Sequence, residues 1–223
     1  MSIFLIPFVI SVLIILYLWY RDKYEREPIA LVMKVFIWGA TSAIITAIIL
    51  ENIASYFLTI FLASTIGLFA SEETLILVYT LIFTAVFAPL IEEYSKGNIL
   101  LRLRRNPEYD GMMDGIVYGA SVGAGFAFTE NILYGLNALF FGGLLTGFLV
   151  VVMRSAFEIA GHPFYTSWIG SEVGLNKKYN IGSFTNGWLI ASFFHGIWNF
   201  AAFVADFSPL VGFAGIIMIA IFY

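Results

Sequence analysis

Four short stretches of this chain place acid–base or metal-ligating groups inside otherwise apolar sequence. The first is Pro89-Leu-Ile-Glu92-Glu93-Tyr-Ser-Lys96. On a helix Lys96 lies four residues from Glu92 and three from Glu93, within reach of either carboxylate. Adjacent carboxylates resist simultaneous ionisation, so one of the two is suited to hold and release a proton as a general base does. The plainer alternative is a snorkelling lysine beside two glutamates at a membrane boundary. The second stretch ends in Glu130-Asn131, with Phe126 and Tyr134 one turn to either side. The third sets Arg154, Glu158 and His162 at i, i+4 and i+8. That spacing predicts an Arg154–Glu158 ion pair within one span and leaves His162 the available group. The fourth, His195-Gly-Ile-Trp-Asn199, puts an imidazole and an amide one turn apart. Such a pair could bind metal or stabilise an oxyanion.

These groups need elements to bring them together, and the composition says which kind. The chain has 223 residues, 61% hydrophobic and only 12% charged. A soluble domain carries about twice that charge. Disorder is excluded by the abundance of apolar side chains. The absence of Cys excludes disulfides, thiolate metal sites and a cysteine nucleophile. A net charge of −4 argues against nucleic acid as a partner. The reading is a single integral-membrane domain over residues 1–223, an all-α polytopic bundle of about seven spans in a lipid bilayer.

The expected spans are Ser2–Tyr20, Ile29–Leu50 opened by Pro28, about Thr74–Leu101, a fourth ending near Tyr134, about Gly143–Ile169, Ser183–Ala205 and a short seventh after Pro209. The apolar, Ser- and Thr-containing segment Asn52–Ala70 fits a crossing, a return or a surface helix. Basic residues concentrate in three loops: Arg21, Lys23 and Arg26; Arg102, Arg104 and Arg105; Lys177 and Lys178. The intervening loops have none, which predicts an outside N-terminus and a cytoplasmic C-terminus. A charge placed centrally in a span costs at least roughly 2.5–3.5 kcal/mol. Glu92, Glu93, Glu130, Arg154 and Glu158 in one small protein therefore call for a shared, water-holding pocket. Gly111, Gly115, Gly119 and Gly123 recur every four residues and form a ridge against which another helix can pack closely.

Glu92-Glu93-x-x-Lys96, Phe126-x-x-x-Glu130 and the segments around His162 and His195 resemble the PrsW intramembrane proteases. That family shares a superfamily with the type II CAAX prenyl endopeptidases. Asp22-Lys-Tyr-Glu-Arg-Glu-Pro28, Asp114-Gly-Ile-Val-Tyr-Gly119 and Glu130-Asn-Ile-Leu-Tyr134 extend the resemblance over most of the chain. It implies a multi-pass hydrolase of a prokaryotic plasma membrane that cleaves membrane-anchored proteins such as anti-sigma factors. The family's functional positions fall on Glu92, Glu93, Glu130, His162 and His195. His195-x-x-x-Asn199 resembles the prenyl endopeptidase motif whose pair supports the oxyanion. The position four after His162 is Thr166, not an acid.

On this reading Glu92 or Glu93 activates water, with Lys96 tuning the pair. Glu130, His162 and His195 bind a metal, Zn2+ by ligand type, or steady the tetrahedral intermediate with Asn199. A metal-free mechanism using a glutamate base fits the same residues. The rival readings are an ion-coupled transporter and a non-catalytic scaffold that binds transmembrane helices through the glycine ridge. Convergence of Glu92 with Glu130 requires the fourth helix to start late, around Tyr118–Ser121, with the Gly-rich stretch folded at the cytoplasmic boundary.

Overall fold

The computed structural model describes residues 4–23, 25–157 and 159–208. Among the described residues the bundle has eight α-helices and no strands. Helix α1 (Leu5–Arg21) is followed by α2 (Ile29–Trp38), which Pro28 precedes as expected. A π turn, Gly39–Ala43, carries α2 directly into α3 (Ile44–Thr65), so Asn52–Ala70 is no separate element but the end of α3 and a 3-10 turn. Ser71 caps α4 (Glu72–Ile82) by accepting the Thr74 amide, with Glu72 and Glu73 favourably placed in the first turn. A second π turn, Phe83–Phe87, leads into α5 (Ala88–Leu103). Pro89 lies in the first turn of α5 and has no N–H to give the preceding turn. The widened ladder frees the Thr84 carbonyl, which accepts Asn199 Nδ2 at 3.0 Å. Thr129 serves the first π turn alike, donating to the Ala40 carbonyl at 2.8 Å.

Helix α6 (Met112–Phe157) runs 46 residues, about 69 Å if straight, against a hydrocarbon core of roughly 30 Å. It resolves this by folding back at Gly143, whose φ of 83° favours a residue without a Cβ. Across the fold Gly135 faces Val151 and Gly147 faces Leu139. Helix α7 (Gly161–Tyr179) continues the returning arm, and α8 (Phe184–Phe207) follows the Ser183 cap. The glycine ridge is regular helix from Gly115 through Gly123, with Gly111 just before the first residue of α6. A Cβ on Gly115, Gly119 or Gly123 would collide with the α7 backbone at Gly170, Thr166 and His162 in turn, while one on Gly111 would meet the Lys178 side chain. The late start expected for this helix is therefore wrong. Gly125 packs as tightly on the Phe36 carbonyl of α2, so the first arm of α6 forms the buried centre of the bundle.

Polarity is inverted relative to a soluble protein. Lys96, Glu93, Ser121 and Thr166 are fully buried, while Leu13, Ile53, Phe57, Phe61 and Leu144 face outward. Among the described residues, four helical stretches are long and apolar enough to cross a membrane: Ile29–Leu68, Glu72–Leu103, Met112–Tyr179 and Phe184–Ala205. The third doubles back at Gly143, and α1 is shorter, with 17 residues. The expected seventh span lies outside the described residues. The basic loops meet at one end of the bundle: Lys177 Nζ donates to the Asn106 carbonyl at 2.7 Å and Lys178 pairs with Asp110 at 3.4 Å. There, too, the Tyr118 hydroxyl donates to Glu27. Burial pushes the Glu27 carboxyl up to about 8, Tyr118 opposing the rise and Asp114 adding to it.

Candidate active site

The two π turns, the packed glycines and the fold at Gly143 bring the intramembrane polar residues to one place. Helix α5 supplies Glu92, Glu93 and Lys96; the outgoing arm of α6 supplies Glu130 and Asn131, and the returning arm Arg154. His162 and Thr166 come from the start of α7, and His195 and Asn199 from α8.

Glu93 is the most tightly held. Its Oε1 accepts Lys96 Nζ at 2.6 Å and meets His195 Nδ1 at 3.0 Å, while Oε2 accepts Thr166 Oγ1 at 3.0 Å. Glu92 lies at the other side of the same turn, its Oε2 3.5 Å from Lys96 Nζ, 3.9 Å from His162 Nδ1 and 4.0 Å from His195 Nε2. His162 bridges two carboxylate systems, with Nδ1 2.9 Å from Lys96 Nζ and Nε2 3.0 Å from Glu130 Oε2. Its ring thereby closes the gap in depth between α5 and Glu130 that the straight-span picture leaves open. Tyr165 stacks on His195 with centroids 4.8 Å apart, fixing the plane of that imidazole.

A cavity of about 500 Å³ opens beside these groups, between α3, α5, α6 and α8. Glu92, Glu130, Arg154, His162, His195 and Asn199 are on its wall, and Glu93 and Lys96 are behind it. Among the described residues, the group of acids and imidazoles able to share one metal ion is Glu92, His162 and His195, whose ligand atoms lie within 4.8 Å of one another. Glu130, expected as the third ligand, is not in that group. Its Oε2 is already shared by Arg154 Nη2 at 2.8 Å and His162.

Arg154 makes two contacts that its spacing to Glu158 does not announce. Its guanidinium reaches across the fold to Glu130 and to Asn131 Oδ1 at 2.9 Å, and its helix ends at Phe157 while that of His162 begins at Gly161. Glu158, the partner predicted from spacing, lies outside the described residues. Sequence reasoning also missed Thr166 as the anchor of Glu93. The signal was available, since Thr166 follows His162 by one turn and shares its face. Asn199 meets the cavity, yet one of its two amide hydrogens is committed to Thr84.

Two imidazoles and a carboxylate are a donor set of the kind that holds a metal in hydrolytic enzymes. The family model described as PrsW family intramembrane metalloprotease matches residues 27–223. The chain is similar to the protease PrsW of Oceanobacillus iheyensis, 30% identical over 82% of this chain and 75% of that protein. It is also similar to the PrsW proteases of Geobacillus kaustophilus, 26% identical over 85% and 74% of the two chains, and Clostridioides difficile, 27% identical over 81% and 70%. No solved structure matches the chain significantly. With the family match reaching from the Glu27 loop through every residue of the cavity, the chain belongs to the PrsW family of intramembrane proteases.

Proposed function

We propose that the chain hydrolyses peptide bonds of membrane-anchored proteins of the anti-sigma-factor kind, at a centre built by Glu92, His162 and His195. One observation carries the reading. Each imidazole turns one nitrogen toward Glu92 and the other toward a further carboxylate, His195 toward Glu93 and His162 toward Glu130. Metal-binding histidines are held this way, because a carboxylate on the far nitrogen fixes the tautomer and strengthens the ligand. Two imidazoles and a carboxylate suit Zn2+ with a position left open for water. Bound there, the metal would supply an acidified water and a polarised scissile carbonyl.

The chain's own residues divide the remaining work. Glu130, oriented by Arg154 on the cavity wall, accepts the water proton as the new C–O bond forms. It returns that proton to the amine nitrogen as the C–N bond breaks. Asn199 has a second amide hydrogen for the developing oxyanion. Glu93 lies behind the wall with both oxygens engaged, so it positions His195 and Lys96 rather than meeting water. Lys96 contacts two of the three prospective ligand atoms and so competes with the metal for them. The clustering of basic loops at one end supports an outside N-terminus in a prokaryotic plasma membrane. The glycine ridge of the scaffold reading is consumed internally against α7.

The test is cleavage of a panel of single-span reporters by the purified full chain. Glu92→Gln and His195→Ala are expected to abolish cleavage while leaving the thermal unfolding transition in place. Retained cleavage in both would refute the assignment.

A further inference from the structure

Glu51 is an ionisable group of the cavity wall that the proposed mechanism leaves unused. It sits on α3, one turn beyond Ile48, and faces the space shared by Thr80, Thr84 and Tyr134. Its burial is intermediate, and among the described residues no side chain or backbone group makes a hydrogen bond or ion pair with its carboxylate. The charges around it do not balance. Among the described residues the wall bears three carboxylates, Glu51, Glu92 and Glu130, against one permanent cation, Arg154. That cation is engaged by Glu130 and Asn131 and stacks over Tyr134 at 3.7 Å. Lys96, fully buried behind the wall, pairs with Glu93 at 2.6 Å and Glu92 at 3.5 Å, which leaves Glu51 as the wall carboxylate without a paired cation among the described residues. An ionisable residue at membrane depth is costly unless it pairs or lines a path for a ligand, and Glu51 has the second setting without the first.

We propose that Glu51 is a specificity residue that receives a Lys or Arg side chain of the substrate close to the scissile bond. This rests on the protease reading above. The rim beside Glu51 is open, with Ile48 42%, Leu133 43% and Tyr134 50% exposed, so a side chain arriving from the bilayer reaches the carboxylate first. Lys and Arg suit that route because their long apolar stems travel in hydrocarbon while the head seeks a polar partner. Along α8 the wall extends from His195 to Phe203, a rise of about 12 Å, which an extended peptide covers in about four residues. The basic residue therefore lies within about four residues of the cleaved bond.

The experiment is a library of single-span reporters in which each span position carries Lys, Arg, Gln or Glu in turn. Products of the full chain in proteoliposomes are identified by mass spectrometry. The wild type is expected to favour reporters with Lys or Arg near the cut. Glu51→Gln should raise KM for those reporters on the order of tenfold with kcat little changed, and should cleave Gln reporters as before. Glu51→Lys should shift the preference to Glu reporters. The same preference in wild type and both variants overturns this inference and leaves the protease reading intact. No cleavage of any reporter by the wild type overturns both.

Discussion

Replacing Thr166 by Val removes one hydroxyl and almost no volume, which isolates the hydrogen bond that orients Glu93. In the native site Thr166 Oγ1 donates to Glu93 Oε2 at 3.0 Å, and both side chains are fully buried. A hydrogen bond to an ionised group contributes about 1.5–3 kcal/mol, and the carboxylate oxygen left behind has no water to replace it. Glu93 Oε1 would remain anchored by Lys96 at 2.6 Å, so the carboxylate stays in place but is free to turn. Turning it carries off the bond to His195 Nδ1, and with it the orientation of an imidazole that faces Glu92. At about 1.36 kcal/mol per factor of ten, the loss corresponds to roughly 10- to 150-fold in kcat. The assay is steady-state cleavage of a single-span reporter by Thr166→Val and Thr166→Ser, with thermal unfolding of each. The Ser variant keeps the donor and should retain most of the activity. If the two variants are equally active, the hydroxyl does not position Glu93 and the reasoning fails.

Gly115→Ala should destabilise the bundle by about 1–3 kcal/mol or more in thermal unfolding, because its Cβ would collide with the Gly170 backbone. Arg154→Met leaves Glu130 with His162 alone, and a double-mutant cycle with Glu130→Gln should return a coupling of about 1–3 kcal/mol. Glu27 sets a pH dependence. Its folded pKa of about 8 exceeds the ordinary 4.5, so its stabilising contribution is complete below about 4.5 and lost as pH rises through about 8. Glu27→Gln mimics the protonated form; the melting temperature of the wild type should fall relative to this variant between pH 5 and 9, and parallel curves would contradict the assignment.

The apolar runs, the helix start at Pro28 and the glycine ridge were readable because each depends on near neighbours in the chain. Pro28, the four-residue glycine repeat and the Glu92/Glu93/Lys96 cluster announce themselves through fixed offsets. The metal-compatible trio was less legible. Glu130 and Glu92 are both intramembrane glutamates, and only packing decides that Arg154 engages the first and leaves the second to the imidazoles. Arg154 itself illustrates the limit. Glu158 at i+4 satisfies the local rule, so nothing in the sequence directs the guanidinium across the fold at Gly143 to Glu130. The π turn before Pro89 was hidden for a related reason, because the acceptor it frees finds its donor 115 positions away at Asn199.

Glu92, His162 and His195 are proposed to hold one hydrolytic metal jointly. Metal analysis of the purified full chain, loaded with Zn2+ and desalted, tests it most directly. About one zinc per chain is expected in the wild type, lost in Glu92→Ala, His162→Ala and His195→Ala but kept in Asn199→Ala. Zinc absent from the wild type, or retained in all three ligand variants, would contradict it.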